Sequence, residues 1–182
     1  MKVIGVVGMP ASGKGEFSRI AHEMSIPVIV MGDMIRKAVQ EAGLEPNDTN
    51  FGAIANRLRA EQGMDAIARL CVPEIQHQSA PLVLVDGIRG DTEVALFRRN
   101  FPGFTLISIE SSFENRLARI AARARSDDFM TADALHNRDE RELGWGLGNA
   151  LREADIHLKN EGTLAEFSDA VQRLLAQLRG DP

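Results

Sequence analysis

The strongest indication of the fold is a set of short runs of consecutive apolar residues, bounded by glycine or proline. Four such runs cover residues 3–7, 28–31, 82–85 and 104–109. Strands that are apolar on both faces are typical of a parallel sheet covered by helices on both sides. A fifth segment, 154–159, alternates apolar and polar residues, which indicates a half-exposed strand at the edge of that sheet.

Helical periodicity fills the intervals between these runs. We predict helices over residues 13–24, 33–43, 50–63, 64–78, 91–100, 112–125, 132–143 and 163–179. Thr131 and Thr163 precede two of them and are expected to be N-cap residues. Alternating strands and helices predict an α/β fold of three layers, with a parallel five-stranded sheet flanked by helices. The glycine-rich run 144–148 interrupts the pattern and is consistent with either a hinge or a tight packing site.

Composition narrows the class of protein. A chain of 182 residues with 44% hydrophobic residues suits one domain with a substantial core. The net charge of -5 disfavours general binding to nucleic acid or to an anionic membrane. Cys71 is the single cysteine, so no intrachain disulfide forms, and no run approaches the ~20 apolar residues of a membrane span. We therefore expect a cytoplasmic protein without a membrane or nucleic-acid partner.

A glycine-rich segment, residues 8–15, follows the first predicted strand and opens the first predicted helix. Its spacing matches the phosphate-loop pattern G-x-x-x-x-G-K. Glycines let backbone N–H groups converge on phosphate oxygens, and the helix N-terminus adds a partial positive charge. Lys14 supplies a full charge for the β- and γ-phosphates of a nucleoside triphosphate. The predicted nucleotide-binding residues here are Gly8, Met9, Pro10, Ala11, Ser12, Gly13, Lys14, Gly15 and Glu16.

The last position of this loop departs from the general motif. Gly15 stands where a serine or threonine usually binds Mg²⁺, and Glu16 follows it. Ser12 and Ser18 are nearby hydroxyls, but the sequence alone places neither on the metal. Asp86 ends an apolar run, which is the arrangement that holds Mg²⁺ directly or through water. The alternative for Asp86 is a strand-end turn, since Asp-Gly is a frequent turn pair.

Further motifs resemble those of adenylate kinases and related nucleoside monophosphate kinases. Residues 31–36 are similar to the segment that opens their acceptor-binding region. The resemblance implies that Arg36 holds the acceptor phosphate and that Asp33 lies between acceptor and phosphoryl group, although an N-cap aspartate and a solvated arginine would leave the same pattern. Residues 86–89 resemble their Asp-Gly-Phe-Pro-Arg run, offset by one position, which implies a second phosphate clamp at Arg89.

Two later segments extend the likeness. The arginine-rich helix before Asp127 and Asp128 resembles the adenylate kinase lid, which implies that Arg119, Arg123 and Arg125 close over the triphosphate. A solvated basic face paired with acidic residues is the alternative. The stretch after the last predicted strand is similar to the end of monophosphate kinases and dephospho-coenzyme A kinases. There the likeness places the backbone beside adenine, and its candidate residues are Asn160 and Gly162.

From residue 3 to residue 162 the chain is most similar to an archaeal family of adenylate-kinase-like proteins, related in places to dephospho-coenzyme A kinases. Gly-Lys-Gly-Glu-Phe, Met-Gly-Asp, Asp-Gly-Ile-Arg and the Arg-Asp-Glu-x-Glu-Leu of residues 138–143 carry the resemblance. It implies an ATP- and Mg²⁺-dependent kinase acting on a small nucleotide-like acceptor. A nucleoside monophosphate is favoured over dephospho-coenzyme A. A regulatory module that senses ATP or hydrolyses it slowly is the alternative from another class.

The resemblance also implies an organisation and a set of roles. We expect one domain, 1–182, with a P-loop NTPase core, a helical acceptor-binding insertion over 33–78 and a small lid over 125–149. The core would comprise residues 1–32, 79–124 and 150–182. The expected catalytic residues are Lys14, Asp33, Asp86, Arg89 and Arg123, with Asp86 on the metal.

Overall fold

The computed structural model describes residues 1–123 and 131–180 of the chain. Within them, parallel strands form one sheet in the order β2-β3-β1-β4-β5. This sheet and its flanking helices confirm the predicted α/β fold of the P-loop kinase type. In chain order the elements are β1 (Lys2–Gly8), α1 (Lys14–Glu23), β2 (Val28–Val30), α2 (Met31–Glu41), α3 (Asp48–Gln62), α4 (Ala66–Gln76), β3 (Leu82–Asp86), α5 (Asp91–Asn100), β4 (Thr105–Glu110), α6 (Phe113–Arg123), α7 (Ala132–Gly144), α8 (Leu147–Arg152), β5 (Ile156–Lys159) and α9 (Leu164–Arg179).

The core has two halves because successive strand residues point to opposite faces of the sheet. In β1, Val3 and Val7 belong to one cluster, whereas Ile4 and Val6 belong to the other. The first cluster packs against α4, α5 and α8, and the second packs against α1 and α9. Helices therefore cover both faces of the sheet, which explains why the central strands are continuous apolar runs in the sequence.

The edge strand β5 has the half-exposed alternation that its sequence predicts. Asp155, just before it, accepts a hydrogen bond from the Leu106 backbone N–H (2.8 Å) and pairs with Arg98 of α5 (3.0 Å). These contacts fasten the edge of the sheet to the neighbouring strand and helix. Asp155 thus has a structural role at this position.

Most helices begin and end within a few residues of their predicted bounds. Thr131 and Thr163 cap α7 and α9 with their side-chain hydroxyls, as expected. Helix α8 was not predicted, because the run 144–148 contains three glycines. Gly146 adopts a left-handed conformation (φ 95°), and Leu147 and Ala150 are fully buried against the core. Tertiary packing therefore stabilises a short helix that its local sequence disfavours.

The register of the sheet gathers functional side chains at one edge. Val6 of β1 and Val30 of β2 both pair with Asp86, the last residue of β3. Gly8, at the end of β1, pairs with Ile109 of β4. The loop 8–15 thus starts directly above Asp86, at the carboxyl ends of the strands where ligands bind in open α/β sheets.

Three helices, α2 to α4, lie between β2 and β3, in the segment expected to form the acceptor-binding insertion. The bounds of that insertion and of the lid remain predictions. In the parts of the chain that the structure describes, no helix combines the length and apolar character needed to cross a bilayer.

Candidate active site

The loop from Gly8 to Gly15 is held open by its backbone conformation. Ala11 and Gly13 have positive φ angles of 61° and 120°, and the α1 N-terminus at Gly13 has no side-chain cap. The Glu16 N–H donates to the Gly13 carbonyl at 3.0 Å, whereas no described backbone hydrogen bond uses the N–H groups of Lys14 and Gly15, which are therefore suited to an anion. A Cβ on Gly8 would lie 2.4 Å from the Ser12 hydroxyl oxygen, and one on Gly13 would lie 2.4 Å from the Asn160 amide nitrogen. The glycines at these two positions are required by close approach.

Lys14 lies within this loop rather than in solvent. Its ammonium group donates hydrogen bonds to the backbone carbonyls of Gly8 and Met9, the second at 3.1 Å. Burial lowers the Lys14 pKa from 10.5 to about 8, although the nearby carboxylates of Glu142 and Asp86 oppose the shift. The site therefore holds a partly desolvated cation for which an anionic ligand would be a better partner than two neutral carbonyls.

Asp86 receives a hydrogen bond from the hydroxyl of Ser18, at 2.7 Å, which joins β3 to the second turn of α1. Glu16 points elsewhere: its carboxylate pairs with Arg19 at 2.6 Å and accepts a hydrogen bond from Ser168 of α9 at 3.2 Å. Glu16, the residue that follows the Gly-Lys-Gly of the loop, thus has structural partners.

A buried glutamate organises the cations opposite the loop. Glu142 of α7 is 2% exposed, and its carboxylate pairs with Arg89, which follows β3, and with Arg138 one turn earlier in α7 (3.2 Å). Arg89 and Arg138 both border the cavity above the phosphate loop, together with Lys14. One carboxylate therefore holds two guanidinium groups in place at the mouth of the loop.

A second buried charge pair lies behind Arg89. The Arg59 guanidinium approaches the Glu93 carboxylate at 3.6 Å, and the Arg89 backbone N–H donates to the same carboxylate at 2.7 Å. Burial raises the Glu93 pKa. Arg59 also stacks over the Trp145 ring (4.8 Å), which Arg141 covers at 5.7 Å. Arg59 and Glu93 are not predicted from the sequence, and Glu142 is noted there only within the motif of residues 138–143, because nothing local relates an arginine in α3 to acids in α5 and α7.

These side chains line three adjoining cavities. One, of about 290 Å³, lies over the phosphate loop and Arg138. A second, also about 290 Å³, extends from Lys14, Gly15 and Asp86 to Arg36 and Arg59. A third, of about 390 Å³, continues past Arg59 to α3 and Trp145. The first two share Lys14, Gly15 and Arg89, and Arg89 borders all three.

A separate groove of about 350 Å³ lies on the other side of the loop. Arg119 of α6 donates to the Asn160 backbone carbonyl (2.6 Å) and to the Ser111 hydroxyl (2.8 Å). Asn160 is 6% exposed and donates to the Ser12 carbonyl at 2.8 Å, so it ties the phosphate loop to the end of β5. The groove is lined by Gly13, Glu16, Arg119, Ala122, Asn160, Gly162, Leu164 and Phe167.

Helices α6 and α7 are joined beneath the site by a buried ion pair. Arg116 makes two hydrogen bonds to the Asp139 carboxylate, at 2.8 and 2.7 Å, and a third to the Pro10 carbonyl at 3.0 Å. Both side chains are almost fully buried. Arg116 of α6 thus anchors α7 and the phosphate loop.

The structure therefore brings together many of the predicted site residues but not all of them. Asp33 is exposed and pairs with Arg36 within α2. It is not among the residues that line the cavity bordered by Arg36, and its role in the acceptor site stays a prediction. Arg125 and the side chain of Arg123 lie outside the described residues. The predicted residues that do lie around the loop and line the cavities are Lys14, Gly15, Arg36, Asp86, Arg89, Arg119, Asn160 and Gly162.

The donor set at Asp86 fits a nucleotide-bound magnesium ion. Within residues 1–123 and 131–180, no group of three or more His, Cys, Asp or Glu side chains converges as a metal site. Magnesium that arrives with a nucleotide takes its oxygen ligands mainly from phosphate and water and needs one or two from the protein. The Asp86 carboxylate, hydrogen-bonded to Ser18 beside Lys14, provides such oxygens.

Comparison with known sequences assigns the chain to a family. Residues 4–143 match the model of an AAA domain. A UPF0200 protein from Methanoregula boonei is 63% identical over 182 residues, covering 100% of both chains. One from Methanoculleus marisnigri is 62% identical over 180 residues, covering 99% of this chain and 98% of the relative. The chain belongs to the UPF0200 family. This finding agrees with the archaeal resemblance noted in the sequence, but it does not establish a specific relation to adenylate or dephospho-coenzyme A kinases.

Solved structures resemble the UPF0200 fold at low sequence identity. Dephospho-CoA kinase from Campylobacter jejuni superposes with a TM-score of 0.63 at 17% identity, over 99% of this chain and 98% of the other. Shikimate kinase from Bacteroides thetaiotaomicron gives 0.63 at 13% identity over 97% of both chains. A gluconokinase from Sinorhizobium meliloti gives 0.60 at 19% identity, over 98% of this chain and 94% of the other. These likenesses establish the P-loop kinase-like fold.

Proposed function

We propose that this protein transfers the γ-phosphoryl group of ATP to a small anionic, nucleotide-like acceptor, in the manner of a nucleoside monophosphate kinase. The observation that carries the proposal is the meeting of two cavities at Lys14, Gly15 and Arg89. One cavity contains the phosphate loop, and the other opens towards α2 and α3. A donor and an acceptor bound in these cavities would meet beside one lysine and one arginine.

The donor side suits a nucleoside triphosphate. Loop amides and Lys14 would bind the phosphates, with Lys14 exchanging its Gly8 and Met9 carbonyl partners for phosphate oxygens. The groove beside Arg119 has an apolar wall of Leu164 and Phe167, and its Arg119 guanidinium is already held by Asn160. A planar base fits the groove's combination of apolar surface and an oriented guanidinium.

The acceptor side suits an anion with an aromatic or other planar part. The larger cleft is bordered by Arg59, Arg89, Arg138 and Arg141, and Glu142 contributes the one carboxylate among its described lining residues. Guanidinium groups bind phosphate in a bidentate geometry, through two N–H groups at once, which a lysine ammonium cannot form. Aromatic and aliphatic surface is provided in the same cleft by Ile35, Phe51, Ala55 and Trp145.

Catalysis in such a site comes from positioning and charge stabilisation. Asp86 would hold Mg²⁺, which neutralises charge on the phosphates when bound. Lys14 would bind the donor phosphates, and Arg89, fixed by Glu142, lies between the two cavities where negative charge accumulates during transfer. The mechanism requires no protein nucleophile.

The direct test is ADP release from ATP with a panel of nucleoside monophosphates and dephospho-coenzyme A. We expect a monophosphate to stimulate turnover and Lys14→Ala to lower it by about 100-fold or more. Arg59→Ala should raise the KM of the acceptor while leaving ATP binding unchanged. Arg19→Ala is the matched control, because Arg19 is exposed on α1 and pairs only with acids of its own helix among the described contacts.

Other outcomes discriminate the alternatives. If dephospho-coenzyme A alone stimulates turnover, the acceptor is dephospho-coenzyme A and not a nucleoside monophosphate. ATP hydrolysis that no acceptor stimulates would favour the regulatory NTPase. If no acceptor stimulates turnover and Lys14→Ala still binds ATP, the kinase proposal is wrong.

A further inference from the structure

We propose that Ser18, one helical turn beyond the usual serine or threonine of a phosphate loop, supplies the hydroxyl of the magnesium site together with Asp86. The inference rests on the nucleotide-binding part of the proposed function, but not on transfer to an acceptor. It accounts for a phosphate loop whose motif ends in glycine.

The first observation is the space left at Gly15. A Cβ built on Gly15 meets no atom within 4 Å. Residues 15 and 18 are three apart in α1 and therefore lie on the same face of the helix. The absence of a side chain at Gly15 leaves this face open between the loop and Ser18.

The second observation is the contact that Ser18 makes across the fold. Its hydroxyl lies 2.7 Å from the Asp86 carboxylate, although the two residues are 68 positions apart in the chain. A hydroxyl and a strand-end carboxylate in hydrogen-bond contact beside the lysine are the protein donors that a P-loop site offers to magnesium. Here the hydroxyl comes from the second turn of α1 instead of the first.

The other candidate groups near the loop face elsewhere. The Ser12 hydroxyl is buried beneath the loop against Gly8, where it would collide with a Cβ at 2.4 Å. The Glu16 carboxylate is occupied by Arg19 and by Ser168 of α9. Ser18 is thus the hydroxyl in this segment with a described contact to Asp86.

This arrangement has a specific chemical consequence. Magnesium keeps several water ligands and binds proteins through few oxygens, directly or through those waters. Ser18 would either bind the ion or orient Asp86 and one of its waters. Both versions predict that Ser18 matters for nucleotide only when the metal is present.

The test is the affinity for ADP measured by calorimetry with Mg²⁺ and with EDTA, for the wild type and Ser18→Ala. We expect Mg²⁺ to strengthen wild-type binding, and Ser18→Ala to reduce this enhancement by roughly 10-fold or more. The affinity in EDTA should stay within about twofold, because the loop amides and Lys14 remain. Titration of Mn²⁺ into the ADP complex, followed by electron paramagnetic resonance, should show the same loss.

Three further variants make the test specific. Ser18→Thr keeps a hydroxyl and should retain the enhancement. Adding Gly15→Ser to Ser18→Ala restores a hydroxyl where the general motif has one, and the open space at Gly15 admits it, so the double variant should recover the metal dependence. Ser168→Ala removes a hydroxyl that donates to Glu16 and not to Asp86, so it should preserve the ratio of ADP affinities in Mg²⁺ and EDTA.

The result that overturns the proposal is a Ser18→Ala protein with the wild-type ratio of affinities in Mg²⁺ and EDTA. A wild type that binds ADP equally with and without Mg²⁺ overturns it too. Either result leaves the acceptor assay free to support the kinase proposal. Conversely, an intact Ser18 effect in a protein that phosphorylates no acceptor would refute the kinase proposal alone. A wild type that binds no nucleotide refutes both.

Discussion

Lys14→Met should stabilise the ligand-free protein while abolishing nucleotide binding. Lys14 has a pKa lowered from 10.5 to about 8, mainly because burial disfavours its charged form. At pH 7 the folded protein nevertheless keeps the charge, and its only described hydrogen-bond partners are the carbonyls of Gly8 and Met9. The site thus holds a cation at the expense of folding stability, ready for an anionic ligand.

The size of the effect follows from the pKa. Each pKa unit corresponds to about 1.4 kcal/mol, so a depression from 10.5 to about 8 sets an upper value of about 3 kcal/mol. Lys14 is half-buried, and its carbonyl hydrogen bonds disappear in the variant, so we expect a gain of about 1–3 kcal/mol in the free energy of unfolding. For a chain of this length each kcal/mol raises Tm by about 2–4 °C.

The pH dependence gives a sharper signature than the magnitude. Below pH 8 both the folded and the unfolded wild type carry a protonated Lys14, and the full penalty applies. Between about pH 8 and 10.5 the folded protein releases this proton while the unfolded chain retains it. Wild-type stability therefore rises with pH relative to the variant in this window, by up to about 1.4 kcal/mol per pH unit.

The assay is chemical denaturation of both proteins from pH 6.5 to 10, with the ADP-induced shift in Tm measured alongside. Lys37→Met is the control, because Lys37 is exposed on α2, and its stability difference from the wild type should not vary with pH in this way. A Lys14→Met protein less stable than the wild type at pH 7 would contradict the expected gain in stability. A stability difference that stays constant between pH 8 and 10 would refute it as well.

Three further predictions concern the scaffold. Arg116→Ala should lower the free energy of unfolding by about 3–5 kcal/mol in urea denaturation, because it leaves the buried Asp139 carboxylate without its partner. Arg19→Ala on the surface is the control and should have no measurable effect. Gly90→Ala should lower Tm in calorimetry, because its Cβ would lie 2.4 Å from the Trp145 carbonyl oxygen, while Gly15→Ala meets open space and should not. Burial raises the pKa of the Cys71 thiol to about 12, so a thiol reagent at pH 8 should label it only after denaturation.

Local sequence was sufficient for the parts of the fold whose stability is local. The apolar runs predicted the strands, because side-chain alternation and burial on both faces leave a continuous apolar pattern. Thr163 with Glu166 forms a capping box whose partners are three residues apart, and Thr163 was predicted as a cap. The phosphate loop belongs to this group too, since strand, glycines, lysine and helix follow one another along the chain.

Local sequence failed where the deciding contact lies elsewhere in the chain. Helix α8 contains two buried residues, Leu147 and Ala150, and is stabilised by their packing. The sequence does not predict this helix, because its three neighbouring glycines disfavour helix locally. For Asp33 the sequence leaves two interpretations open, and its role in the acceptor site stays a prediction: in the structure Asp33 pairs with Arg36 at the surface. A helix-start aspartate followed by an arginine satisfies both interpretations, so the motif alone could not separate them.

Residue patterns along the chain were therefore enough to predict a parallel α/β sheet with a phosphate loop at the end of its first strand. Those features follow from backbone hydrogen bonding and side-chain periodicity over a few residues. Other contacts join segments that are far apart in the chain and follow from its three-dimensional arrangement: Glu142 holds Arg89 and Arg138, Arg59 pairs with Glu93, and Ser18 donates to Asp86. The energy of such contacts depends on distance and burial in three dimensions, which residue spacing along the chain does not encode.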